Sequence, residues 1–261
     1  MTVAIALDAV GKRFARTGDA GGDTIALDGL TFEVEEGEFF CLLGPTGCGK
    51  STVLHLIAGF ERPSVGQVRV FGAGVDKPDA DRGVVFQTEL ALFPWLTVEQ
   101  NVSFGLRMRG VAAAERMAIL DRNLELVGLL RHRAKYPREL SGGMKQRVQI
   151  ARALANDPRI LLMDEPFGAL DAQTRRRMQE EVVRIWSATG KTVIFITHDI
   201  GEAIWLGDRI GVMTRGPAAR LKQIVAVDLP RPRHAMTQAY GDLYNALSAT
   251  IQAEAEAMLN A

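Results

Sequence analysis

The segment Gly44-Pro45-Thr46-Gly47-Cys48-Gly49-Lys50-Ser51-Thr52 constrains this chain more than any other stretch. The apolar run Phe39 to Leu43 before it reads as a buried strand, and Val53 to Ala58 after it reads as a helix. A G-x-x-x-x-G-K-[ST] pattern in that setting is a phosphate-holding loop, the Walker A arrangement. Its glycines admit backbone angles that turn successive N–H groups inward. The helix N-terminus behind them adds partial positive charge for anionic oxygens. Lys50 is placed to neutralise the β and γ phosphates, and the Ser51 hydroxyl to take Mg²⁺. The segment predicts binding of a nucleoside triphosphate.

Composition narrows the setting. A chain of 261 residues can bury one sizeable core, with or without an inserted lobe. Lysines and arginines number 31 and so do the acids, so no net charge points to nucleic acid or an anionic surface. No window approaches the roughly 20 apolar residues a membrane crossing needs. The N-terminus has neither the basic region nor the apolar core of a secretory signal. Cys41 and Cys48, in the strand and its loop, suggest a reducing cytoplasm rather than a disulfide framework. Cys48 reads as a small residue that fits, or as a modifiable thiol beside phosphate.

Short β-branched and aromatic runs dominate up to about Gln87. Val3 to Val10, Ile25 to Val34 and Val68 to Phe71 read as strands, with a glycine-rich loop over 16–23. Thr97-Val98-Glu99-Gln100 is a capping box opening a helix to about Gly110. Ala112 to Val127 gives a second helix, and a third begins after Ser141 and runs to about Ala155. Strand and helix then alternate: Ile160 to Met163, Ala172 to Ala188, Thr192 to Thr197, Asp199 to Leu206, Arg209 to Thr214. That alternation predicts an α/β fold with a parallel sheet. The expected division is a core of residues 1–88 and 158–230, an inserted helical subdomain of residues 89–157, and a C-terminal tail helix within 231–261.

Ile160 to Met163 delivers Asp164 and Glu165 to the C-terminal edge of a buried strand, where ligands of open α/β sheets gather. Asp164 can hold Mg²⁺ through a water, and Glu165 can deprotonate an attacking water. Both could instead be plain surface acids. Gln87 follows Val84-Val85-Phe86, and its amide can reach Mg²⁺, water or phosphate; alone it would be a loop glutamine. His198, after Phe195-Ile196-Thr197, can meet a γ-phosphate or serve structure only. His55, His132 and His234 read as structural. Ser141-Gly142-Gly143 opens a second helix with bare N–H groups, a second anion-ready end.

Gly44 to Thr52, Gln87, Leu140 to Arg147, Ile160 to Pro166, Gly168 to Asp171 and His198 stand in the order and spacing of the ATP-binding subunits of ABC transporters, which residues 3 to 230 resemble. The resemblance implies a P-loop NTPase core of the RecA-like kind, with an N-terminal antiparallel β subdomain and an inserted helical subdomain. It implies a head-to-tail dimer, with a second copy or a homologous ATPase, enclosing two ATP molecules. Ser141, Gly142 and Gly143 of one subunit would then cap the γ-phosphate held by Lys50 of the other. Glu165 resembles the catalytic base, Gln87 the Q-loop residue, Asp171 the D-loop residue and His198 the switch histidine. Phe14 stands at the position that stacks on adenine. Met144 departs from the glutamine of many members. Phe93-Pro94-Trp95-Leu96-Thr97-Val98 and Asp228-Leu229-Pro230-Arg231-Pro232-Arg233 resemble the importer branch serving nitrate, sulfonates, taurine and related solutes.

The expected partners are transmembrane permease subunits and, indirectly, a periplasmic or extracellular solute-binding protein. No nucleic acid is expected. Leu92 to Leu96 would receive a short permease helix, although Trp95 could equally belong to the core of the helical lobe. The expected location is peripheral, on the cytoplasmic face of the inner membrane. Readings from other classes are a soluble ABC-type ATPase uncoupled from transport, a P-loop kinase and a non-catalytic nucleotide-gated scaffold.

Overall fold

The computed structural model describes residues 2–15, 23–87, 91–233 and 237–257, with backbone alone at 255–257. His234 and all of the expected glycine-rich loop except Asp23 lie outside these residues. The chain forms two compact units, Met1–Asp79 with Thr192–Ala261, and Ala80–Lys191.

In the first unit β1 (Val3–Phe14) pairs antiparallel with β2 (Thr24–Glu35) and with β4 (Val65–Val70). The two-residue β5 (Ala73–Gly74) adds an edge to β4. Leu30, Phe32 and Val34 of β2 are buried in alternation, the period of a strand with one face on the core. Phe32 stacks on Phe40 with ring centroids 5.2 Å apart. Phe40 belongs to β3 (Phe39–Leu43), whose five residues are all buried.

Burial of every position in β3 follows from its neighbours, since β8 (Thr192–Thr197) and β9 (Arg209–Met213) flank it in parallel. A parallel strand with neighbours on both sides reads as a continuous apolar run. Leu43 pairs with both Thr197 and Val212, so the segments after β3 and β8 emerge at one end of the sheet. The first of these leads into α1 (Lys50–Ala58) and the second into α6 (Ile200–Leu206). β10 (Leu221–Ala226) pairs antiparallel with β9. The unit ends in α7 (Gln238–Ala257).

In the second unit β6 (Arg82–Val85) and β7 (Ile160–Asp164) form a parallel pair in which Val85 faces Met163. Four helices accompany them: α2 (Val98–Met108), α3 (Ala113–Leu126), α4 (Gly142–Ala155) and α5 (Ala172–Thr189). The expected capping box is formed. The Thr97 hydroxyl accepts from Gln100 N at 3.3 Å, and the Gln100 side chain accepts from Thr97 N at 2.9 Å. Gly190 closes α5 in the left-handed region at φ 60°. No described helix is long and apolar enough to cross a membrane.

One buried cation organises the tail of the first unit. Arg233 is 3% exposed and donates to the carbonyls of Ile204 at 2.7 Å, Gly207 at 2.6 Å, Trp205 at 3.3 Å, Val227 at 3.2 Å and Leu229 at 3.1 Å. Those first three are the last-turn carbonyls of α6 and its end, which have no partner within a helix. Desolvation and the neighbouring Arg231 charge lower the Arg233 pKa to about 10. Arg233→Met keeps the bulk and strips these carbonyls of their donor. We expect a loss of about 3 kcal/mol, read by calorimetry as a fall in Tm of about 5–10 °C.

Candidate nucleotide site

The loop after β3 folds back on its own lysine. Lys50 is 4% exposed, and its Nζ donates to Gly44 O at 2.8 Å and Pro45 O at 2.9 Å. Gly49 precedes α1 at φ 89°, where an added β-carbon would lie 2.8 Å from Leu27 Cδ2 and 3.3 Å from Ala26 O. Glycine is therefore required both by the left-handed backbone and by close packing. Gly47 is also left-handed, at φ 80°, but its position faces open space. The N-terminus of α1 has no side-chain cap. A nine-residue helix whose entry is not capped by a side chain, behind a loop of turned peptides, is chemically suited to a polyphosphate. Ser51 is exposed in the first turn and Thr52 half-buried. Thr46 is exposed, Pro45 half-buried, and Cys48 is 1% exposed beneath the loop. Neither cysteine is in a disulfide and both are buried, and burial raises the Cys41 thiol pKa well above its usual range.

His198 lies at the same sheet end, directly after Thr197, and is exposed. Its flanking residues are fixed. Thr197 Oγ1 donates to Glu202 Oε2 at 2.7 Å, Asp199 N donates to Thr197 Oγ1 at 3.0 Å, and Glu202 N donates to Asp199 Oδ1 at 3.0 Å. Phe14 ends β1 with 39% of its surface exposed. The Lys12 ammonium sits 4.9 Å from the Phe14 ring centroid and donates to Glu61 Oε2 at 2.7 Å and Arg62 O at 2.9 Å. That hydrogen bond and the ammonium charge lower the Glu61 carboxyl pKa. Nothing in the sequence pattern marked Lys12 or Glu61. An aromatic face beside a held cation is suited to stacking a base.

The second unit gathers the carboxylates. Because β6 and β7 run parallel with Val85 opposite Met163, Gln87, Asp164 (the last residue of β7) and Glu165 lie at the same ends of the two strands. Glu165 has φ 40°, a left-handed conformation that costs a non-glycine residue on the order of 1–3 kcal/mol. Such strain persists where surroundings fix a side chain's direction. Gly168 N donates to Glu165 O at 3.2 Å, tightening the turn, and a β-carbon at Gly168 would lie 3.5 Å from Gln87 Nε2. Among the described residues no group of three or more His, Cys, Asp or Glu could cage a metal. The Asp164 carboxylate is itself a donor of the kind Mg²⁺ takes, since that ion binds one or two carboxylates and completes its shell with waters and substrate phosphates.

Ser141 caps α4, its hydroxyl accepting from Met144 N at 3.3 Å. Asp171 caps α5 by accepting from Thr174 N at 3.0 Å and Gln173 N at 3.1 Å, and the Thr174 backbone bond leads in lowering its carboxyl pKa. These two helix starts meet: a β-carbon on Gly143 would lie 2.7 Å from Thr174 Cγ2. Gly143 at the head of α4 thus also serves packing, beyond what exposure of N–H groups would ask.

Trp95 is 70% exposed, whereas Leu92 is buried. Phe93 packs on Phe104 at 4.6 Å and reaches Trp95 at 5.7 Å between centroids. The turn is held by Asn101, fully buried, which accepts from Phe93 N at 2.9 Å and donates to Leu96 O and Thr97 O at 3.0 Å and to Phe93 O at 3.1 Å. Trp95 is therefore an exposed aromatic on a fixed turn. Asn101 was not singled out in the sequence, since a buried asparagine in a helix carries no periodic signal.

Fold and loop together define a P-loop nucleoside triphosphatase. A family model described as ABC transporter matches residues 27–168. An uncharacterized ABC transporter ATP-binding protein of Methanocaldococcus jannaschii is 52% identical, over 82% of this chain and 79% of its own length. The nitrate import ATP-binding protein NrtC of Synechococcus elongatus is 46% identical over 98% of this chain, which spans only 40% of that protein. A solved dimeric ATP-binding cassette in a post-hydrolysis state, bound to ADP and phosphate, superposes with a TM-score of 0.72. It is 31% identical and covers 85% of this chain and 98% of its own. This chain belongs to the ABC transporter family, as one of its ATP-hydrolysing ATP-binding cassettes.

Proposed function

We propose that the chain is the ATP-hydrolysing subunit of an ABC importer, working as a head-to-tail pair beneath a separate membrane permease. The observation that carries this reading is a phosphate loop and a signature helix start on two units of one chain, in a family whose solved relative is a dimer. In the cycle, Gly44 to Thr52 cradle the phosphates and Phe14 stacks on adenine. His198 contacts the γ-phosphate, and Gln87 helps order the attacking water. Glu165 takes a proton from that water as it attacks phosphorus, and ADP leaves. Ser51, Asp164 and Gln87 would hold Mg²⁺, which supplies charge neutralisation at the β and γ oxygens. Ser141, Gly142 and Gly143 of the second copy close over the γ-phosphate, with Asp171 beside them. Hydrolysis removes the bridging charge and the pair opens, because a ligand shifts such an equilibrium only by its differential affinity for the closed state.

The core and helical lobe are proposed to divide as the sequence suggests, at about residues 89 and 157, with residues 231–261 as a tail. The exposed Trp95 turn supports docking of a permease helix to the lobe. The pair would then sit peripherally on the cytoplasmic membrane face. Nitrate is named for one relative, which favours nitrate, a sulfonate, taurine or a related small solute delivered by a binding protein.

Mixing subunits tests the composite site. Lys50→Ala and Ser141→Arg homodimers each carry two damaged sites, whereas their heterodimer keeps one intact. Partial recovery of ATP hydrolysis on mixing is expected; no recovery, in a mixture shown to exchange subunits, would assign each site to a single chain.

A further inference from the structure

The C-terminal helix reaches the turn that carries His198. Tyr240, in the first turn of α7 and 8% exposed, donates its hydroxyl to Gly201 O at 3.3 Å. Gly201 lies in the first turn of α6, three residues beyond His198. A β-carbon there would come within 3.1 Å of Asp199 Oδ1 and 3.4 Å of Tyr240 Oη, so the turn is packed between its own cap and the tail. The opposite end of α6 is also held by the tail. Arg233 gathers the carbonyls of Ile204, Trp205 and Gly207, and Arg231 pairs with Asp208 and donates to Leu206 O. A seven-residue helix is marginal alone and takes its position from what grips it. Its first turn in turn holds Thr197 and Asp199, the residues on either side of His198, through Glu202 and the Asp199 cap. Farther along, α7 is tied to β10 by Lys222 with Glu254 and by Gln223 Nε2 to Thr250 Oγ1 at 3.3 Å.

We propose that Tyr240 is a positioning residue for His198, so that α7 is a working part of the γ-phosphate contact. The inference rests on the reading of His198 given above. The chain of contact runs from the Tyr240 hydroxyl to the Gly201 carbonyl, through the first turn of α6, and to the peptides on either side of the imidazole. Loss of that hydroxyl would let the turn drift without removing any group that touches nucleotide.

The test uses the purified full chain and compares Tyr240→Phe, His198→Ala and the double variant, with single-turnover measurement for the slow ones. Tyr240→Phe should lower kcat about fivefold, the worth of about one hydrogen bond, with ATP Kd unchanged. In the His198→Ala background the same change should have no further effect, because the side chain being positioned is gone. Wild-type kcat for Tyr240→Phe, or an equal fold loss in both backgrounds, would overturn the positioning role; a change confined to Tm would do the same. His198→Ala at the wild-type rate would instead sink the underlying reading of His198, and this inference with it.

Discussion

Glu165→Gln is expected to keep ATP binding and to slow hydrolysis by about 10²- to 10⁴-fold, the range of a lost general base. Glutamine has the size and shape of glutamate, so the substitution preserves the packing of this side chain. The backbone there sits at φ 40°, and the cost of that conformation is the same for both residues. The negative charge goes, and with it the capacity to accept the proton of the attacking water. ATP should therefore remain bound and uncleaved, and the bridge it makes between two copies should persist. Light scattering should report a stable dimer with ATP and none with ADP. Multiple turnover near the wild-type rate would remove Glu165 from the role of base, whatever the dimer does.

The buried strands were legible because their surroundings leave no polar face. Phe39 to Leu43 and Thr192 to Thr197 were expected at the bounds that β3 and β8 occupy. α1 was legible only from Val53, since its first turn, Lys50-Ser51-Thr52, is polar and carries no apolar period. β1 runs on through Gly11 to Phe14, past the point where its apolar run stops, because backbone pairing with β2 and β4 needs no side-chain pattern. β10 was not foreseen for the same reason. It is a largely exposed edge strand containing Lys222 and Gln223, defined by its ladder with β9.

The nucleotide site divides along a similar line. Groups set by local chain order could be read directly: the loop from Gly44 to Thr52, the acids at the end of β7, and Ser141 as the cap of α4. Groups set by contact between distant segments could not. Tyr240 and Gly201 are 39 residues apart, and Lys12 meets Glu61 across 49. Asn101 is local to its turn, but its four hydrogen bonds leave no mark in hydropathy. Positioning groups of this kind stay silent in a single sequence, while the groups they position do not.

The second large effect is expected from Lys50→Ala, which should weaken ATP binding by about 30- to 4,000-fold. That range corresponds to about 2–5 kcal/mol for truncating one member of a buried, charged hydrogen-bonded pair. Two consequences must be separated, because the ammonium also donates to the carbonyls of Gly44 and Pro45. Losing those bonds loosens the loop in the nucleotide-free chain and lowers its Tm; losing the phosphate contact lowers the additional Tm that ATP confers. At about 100 times its Kd, ATP stabilises the folded chain by about 2.7 kcal/mol. The substituted chain at the same ATP concentration should gain less than about 1 kcal/mol. If its nucleotide-free Tm falls while the ATP-dependent gain stays whole, Lys50 is a loop brace, and the phosphates are held by the backbone N–H groups without it.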